Sequence, residues 1–184
     1  RMLSRLAQTD PTSYERVQTI LLKVATLALA TDAEWSAQQA LGNMAASKQD
    51  YQTARIHFET ANALDPTRIE AVNNLAWCLA ETEPTDPERA LALITAFLTD
   101  AQPSGEPLAQ LLDTRGRVLI RLGRFDEGAQ DLEKVLRFLA PDSQREAHDL
   151  LAEAYQALNK VALADLHRSK GTASVPAVAT QEDE

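Results

Sequence analysis

Three histidines, one cysteine and a few paired acids are the side chains of this sequence whose types could do chemistry. His57, His148 and His167 offer imidazoles for a metal or a proton. A zinc site needs several His or Cys ligands at close spacing, and none of the three has a second His or Cys so placed. They are read as packing or surface groups, His148 in a slot of the repeat described below. Cys78 follows Trp77, and no His stands near it in sequence to activate a thiolate, so an inert buried thiol is expected. A lone cysteine also excludes an internal disulfide and a zinc site on paired cysteines. Asp149 and Glu153 fall one helical turn apart, a spacing at which two carboxylates could share acid–base work. Nothing nearby suggests the burial that would tune them, so a solvated face is expected. The sequence lacks both GxxxxGK[ST] and GxGxxG, so no phosphate loop is expected either. No catalytic residue, metal or cofactor follows from these residues, and the chain is read as not an enzyme.

The remaining side chains must then be explained by what they build. Of 184 residues, 45% are hydrophobic and only 5% aromatic, with Ala and Leu carrying most of the apolar surface. Ala and Leu are strong helix formers, which favours an all-α chain. The net charge of −9 repels phosphate backbones, so nucleic acid is not an expected partner. No apolar run approaches the ~20 residues that cross a bilayer; the richest, from Ile20 to Ala30, is broken by Lys23 and Thr26. No secretory signal is visible. The chain opens on Arg1 rather than Met, which is read as a piece of a longer protein. The compartment expected for the parent is the cytoplasm, with a periplasmic or membrane-anchored parent as the alternative.

Small residues recur with a long period. Gly42, Ala76, Gly116 and Ala152 are 34, 40 and 36 residues apart. Each is followed by a second small residue: Ala54, Ala90, Gly128 and Ala164. That gap is twelve residues in three units and fourteen from Ala76 to Ala90. Four further on stand Phe58, Ile94, Leu132 and Arg168, and three beyond those Ala61, Phe97 and Val135. Capping patterns at Thr31-x-x-Glu34, Thr85-x-x-Glu88 and Ser143-x-x-Glu146, with Asp65-Pro66 and Asp86-Pro87, give helix starts. The predicted helix pairs are 33–47 with 50–64, 67–82 with 86–99, 106–122 with 125–139, and 142–158 with 161–170. "DAQPSGEP" from Asp100 to Pro107 is expected to be the longest break. Residues 1–34 are expected to form a helical cap or partial repeat, with a helix from Asp10-Pro11 to about Ala30. Residues 35–170 make four repeats, and 171–184 a disordered acidic tail.

A helix-turn-helix unit of ~34 residues with these small and aromatic positions resembles the tetratricopeptide repeat. The first unit carries Leu41, Gly42, Ala45, Ala54, Phe58 and Pro66, with Gln38 where Trp is usual. The third carries Leu112, Gly116, Leu119, Gly123, Phe125 and Leu132, with Arg115 where Leu is usual. The fourth carries Leu151, Ala152, Tyr155 and Ala164 and departs at Arg168, which suggests a polar outer edge. The wording of the second and third units is similar to bacterial members of the family. The resemblance implies a right-handed α-solenoid of stacked helix-turn-helix repeats, in which small residues let helices approach.

It also implies a concave groove lined by the first helix of each unit, holding a protein or peptide ligand. Carried over by phase, the lining is Gln39, Asn43 and Ser47; Asn73, Trp77 and Glu81; Asp113, Arg117 and Arg121; Asp149, Glu153 and Gln156. Trp77 is expected at its centre, with Arg117 and Arg121 as its main cations; the competing reading packs Trp77 between helices and pairs the arginines with Glu81, Asp113 or Asp149. One branch of the family clamps a peptide carboxylate with Lys, Arg and Asn. Asn43 and Asn74 match its asparagines, but its basic positions hold Gln39, Gln110 and Thr114, which argues against that ligand. The expected function is a non-catalytic protein-interaction module. The alternatives are a structural spacer or self-associating element, and a regulatory domain of an enzyme whose active site lies elsewhere.

Overall fold

The computed structural model describes residues 11–27 and 31–171. The first ten residues, the end of the cap and the expected tail beyond Gly171 lie outside the described residues. The described residues fold into helices alone: α1 (Pro11–Leu27), α2 (Thr31–Ser47), α3 (Tyr51–Leu64), α4 (Ile69–Glu81), α5 (Pro87–Ala101), α6 (Gly105–Arg121), α7 (Phe125–Val135), a 3-10 turn (Leu136–Phe138), α8 (Pro141–Ala157) and α9 (Val161–Gly171). Helices α2 and α3, α4 and α5, α6 and α7, and α8 and α9 pack as antiparallel pairs, and each pair packs on the next. Helix α1 packs on α2 through Tyr14 and Leu21 against Ala37, Leu41 and Met44.

The small-residue register decides this packing. Ala54, Ala76, Ala90 and Ala164 are fully buried, as are Gly42, Gly116 and Gly128. Phe58, Ile94 and Leu132 fill the space beside them, while Arg168 is exposed and pairs with Asp165. A Cβ on Gly42 would overlap the Phe58 ring, well inside contact distance. The ring occupies the volume that the missing side chain leaves, which answers why a helix keeps a glycine there.

Three of the four pairs turn in the same way. Gln49, Gly123 and Asn159 have φ of 62°, 73° and 57°. The N–H one residue later bonds back five residues: Asp50 to Ala45, Arg124 to Leu119 and Lys160 to Tyr155, at 3.0, 2.8 and 2.8 Å. This is the left-handed helix stop that glycine fits best. The second unit, with its two extra residues, turns differently: the Asp86 N–H bonds the Leu79 carbonyl at 2.7 Å and Thr82 bonds the Cys78 carbonyl. Gln49→Gly should relieve the cost of a side chain at positive φ and raise stability by about 0.5–1 kcal/mol. A fall in the thermal midpoint would show that the Gln49 side chain contributes more than its backbone costs.

Some expected boundaries move. Asp65-Pro66 does not open a helix: Asp65 closes α3, and its carboxylate accepts from the Thr67 N–H and hydroxyl and from Arg68. Of the two starts expected for α5, Asp86-Pro87 is the one used: Asp86 caps it, accepting from the Arg89 N–H at 3.1 Å, and Thr85 does not. Helix α8 starts at Pro141, so Ser143 lies inside its first turn; proline at the first helical position needs no donor. The break expected over Asp100–Pro107 shrinks to residues 102–104, because Pro107 is absorbed in the first turn of α6.

Candidate functional site

Successive first helices bring most of the predicted lining together. Asn43 of α2, Asn73 and Trp77 of α4, and Asp113 and Arg117 of α6 line one cavity of about 510 Å³. Glu81, Arg121, Asp149 and Glu153 line a second, of about 660 Å³, further along the array. Arg117 lines both and joins them. Gln39 is different: it is 6% exposed, lines neither, and its amide oxygen has no hydrogen-bond partner. Asn73 and Asp113, at the same phase of α4 and α6, are half-buried and line the cavity, whereas Gln39 of α2 is buried. Ser47 and Gln156 are exposed but line neither cavity.

Polar side chains cross-link the helices that form the floor. The Thr114 hydroxyl donates to the Asn73 amide oxygen at 2.7 Å, and Asn74 donates to Asn43 at 3.4 Å. These bonds join α4 to α6 and α2 to α4. Trp77 is half-buried: its ring meets Tyr51 edge-on at 5.3 Å and packs against the core that Val72, Leu75 and Leu79 build, while one edge lines the cavity. The arginines are paired. Arg121 bonds Glu81 at 2.5 Å, and Arg117 bonds Asp113 at 3.3 Å and Glu146 at 3.2 Å. Burial pushes the Asp113 carboxyl above its ordinary range, with Arg117 opposing. The competing arrangement read from the sequence paired the two arginines with Glu81, Asp113 or Asp149; Glu81 and Asp113 are partners, and Glu146, one turn before Asp149, is the partner it missed. Glu106, Ala109, Phe138 and Ser143 also line the first cavity and were not anticipated. The signal for Glu106, Ala109 and Asp113 was their helical spacing; nothing in the sequence points to Phe138.

Elsewhere, the residues that could have done chemistry are engaged in packing. Cys78 is fully buried, and burial pushes its thiol up to about 11. His57 contacts the Gln38 amide oxygen at 2.7 Å. His148 and His167 face each other, Nδ1 to Nδ1 at 2.9 Å, between α8 and α9, beside Tyr155. Among the described residues no group of three or more His, Cys, Asp or Glu is placed to hold a metal ion.

The histidines give the domain a pH dependence whose sign is fixed. Burial lowers the pKa of His57, His148 and His167. Each therefore favours its neutral form when folded, and the unfolded chain, titrating near the usual ~6.5, takes up protons first. Stability is complete above that value and is lost as pH falls through it toward the lower folded values. Unfolding in urea should give a free energy that declines between about pH 7 and 5. His148→Gln with His167→Gln should flatten that decline; an unchanged slope would refute the assignment.

No family model matches the sequence, and the comparison with curated proteins returns no match. Solved structures do match. A MamA double mutant (RS-1 ArsTM) superposes with a TM-score of 0.68 at 18% identity, over 92% of this chain and 90% of that one. BtubC (BKLC) from P. vanneervenii gives 0.66 at 14% identity, over 88% and 71%. A Podosopora anserina chain of nearly identical TPR-like repeats, named for a kinesin light chain, gives 0.65 at 18%, over 92% and 90%. At these identities the likeness shows the fold, which is the tetratricopeptide-type α-solenoid of stacked helix-turn-helix repeats. Among the described residues no helix is long and apolar enough to cross a membrane.

Proposed function

We propose that this array is a non-catalytic protein-interaction module that takes an extended or helical peptide along the face formed by α2, α4, α6 and α8. The observation that carries the reading is the first cavity, where Asn43, Asn74, Gln110 and Ser143 present polar groups from four successive first helices beside the edge of Trp77. The cross-linked floor is pre-organised, so binding does not have to order it. Pairing of Arg117 and Arg121 with acids of the chain itself removes the case for a purely acidic ligand. It favours a partner that combines hydrogen-bonding groups with an apolar anchor against Trp77.

The test is selection of random twelve-residue peptides displayed on phage against the full chain, followed by affinity measurement on synthetic peptides of the consensus. Gln110→Trp, at an exposed position, fills the cavity without touching the core. It should weaken binding by at least about tenfold. Unchanged affinity, or no selected peptide, would reject the groove.

One observation favours a second reading, self-association as a spacer or assembly element. The terminal helices leave apolar side chains uncovered: Ile20 and Leu27 on α1 are 59% and 60% exposed, and Leu163 and Leu166 on α9 are 39% and 46% exposed. Repeat arrays need polar outer faces to remain single. Light scattering on the eluting chain separates the two: a monomer supports the peptide-binding module, and a tight dimer supports assembly.

A further inference from the structure

We propose that a second cleft, opening from the groove past Phe138, seats a bulky apolar side chain of the bound peptide with an acidic residue beside it. The proposal rests on the groove reading and names the chemistry of its ligand. The cleft has a volume of about 540 Å³ and lies where the start of α6 meets the end of α7. Ala109, Leu112 and Val135 form a buried floor, Leu108 one wall and Phe138 the other. Its size is within the range in which pockets enclose apolar ligand groups.

Phe138 is 62% exposed, so the core gains little from it. The Arg137 guanidinium lies 4.6 Å from the centre of its ring. Phe138, Ala109 and Glu106 line both the groove cavity and the cleft, so the two are continuous over that ridge. A peptide lying across Gln110 and Ser143 therefore needs only to turn over Phe138 to insert a side chain.

Charge selects what flanks that anchor. The groove cavity carries Glu106, Asp113 and Glu146 against Arg117 alone. The cleft itself is lined by Glu106 and by Lys134, 3.6 Å from Asp131 with its side chain 61% exposed, and the exposed Arg137 adds a second cation over the Phe138 wall. In a chain of net charge −9 this is where an acid of the peptide is accommodated, while its neutral or basic part lies in the groove.

The peptides selected above decide the matter. Their consensus should carry Leu, Ile, Met, Phe or Trp within two residues of Asp or Glu. Phe138→Ala should weaken a consensus peptide by at least about tenfold, and Arg137→Glu by several-fold, with thermal midpoints close to that of the parent. If Gln110→Trp abolishes binding while Phe138→Ala leaves it intact, the cleft proposal fails and the groove stands. If Phe138→Ala weakens binding and Gln110→Trp does not, the groove reading fails, and with it a ligand shared between groove and cleft. Two other occupants would also overturn the proposal. A Phe138-dependent dimer in light scattering would mean a second copy. A tenfold gain in peptide affinity on Val175→Asp with Val178→Asp, in the full chain, would mean a competing segment of the chain itself.

Discussion

Arg115→Leu is expected to destabilise the domain by about 3 kcal/mol, although leucine is what the repeat pattern favours at this position. The reason lies on the neighbouring helix. Asp131 of α7 is 2% exposed, and Arg115 of α6 grips its carboxylate with two bonds, at 2.6 and 3.0 Å. Removing the guanidinium leaves a buried carboxylate with Lys134, at 3.6 Å, as its remaining cation. Breaking a buried pair from one side costs about 3–5 kcal/mol, and Lys134 places this case at the low end. The double substitution Arg115→Leu with Asp131→Leu removes the charge as well as its partner. It should recover most of the loss, since apolar replacement of a whole buried pair is often neutral. Urea unfolding of the two single variants and the double one gives the coupling directly. If Arg115→Leu is as stable as the parent, the pair is a surface contact and the departure from the repeat pattern has no structural meaning.

That pair illustrates what the sequence could and could not disclose. Arg115 was visible as an oddity, because a period of about 34 residues predicts its slot. Its partner was not, since sixteen residues and a turn separate them and Asp131 reads as one more acid on a helix. The same limit applies to His148 and His167, nineteen residues apart and in contact at 2.9 Å. Contacts within a pair of helices depend on the rotation of one helix about the other. The small-residue register fixes that rotation only where the backbones touch. There the reading was sharp: Gly42, Ala54, Ala76, Ala90, Gly116, Gly128 and Ala164 are all buried where the repeat puts them.

The lining was less legible. Asn73, Trp77, Asp113 and Arg117 follow from helical phase in the middle of the array. Gln39 sits on α2, the first of the lining helices, and is buried at the same phase, which helical periodicity does not register. Phe138 belongs to a 3-10 turn outside both periodicities, so no pattern could locate it.

Gly128→Ala carries the second large effect, and its sign opposes helix propensity. In an isolated helix the change would gain up to about 1 kcal/mol. In the folded array α6 and α7 cross at Gly116 and Gly128. A Cβ on Gly128 would stand 2.8 Å from the Gly116 carbonyl oxygen, 2.7 Å from the Ile120 side chain and 3.1 Å from the Ile120 N–H nitrogen. Two of those neighbours are backbone atoms of a helix held on its other face by Val118 and Leu119, so they cannot swing aside as a side-chain tip would. The helices must move apart, which loosens Leu132 and Ile120 in the core as well. Overpacking of this kind costs about 1–3 kcal/mol, and Gly128→Leu should exceed that range. Gly42→Ala is the informative comparison, because its new Cβ meets the Phe58 ring rather than backbone. A ring can tilt, so Gly42→Ala should cost less than Gly128→Ala, and Phe58→Leu should relieve it while no single side-chain truncation relieves Gly128→Ala. A thermal midpoint that rises on Gly128→Ala would mean that propensity outweighs contact there, and that the two helices do not approach as closely as the glycine pair implies.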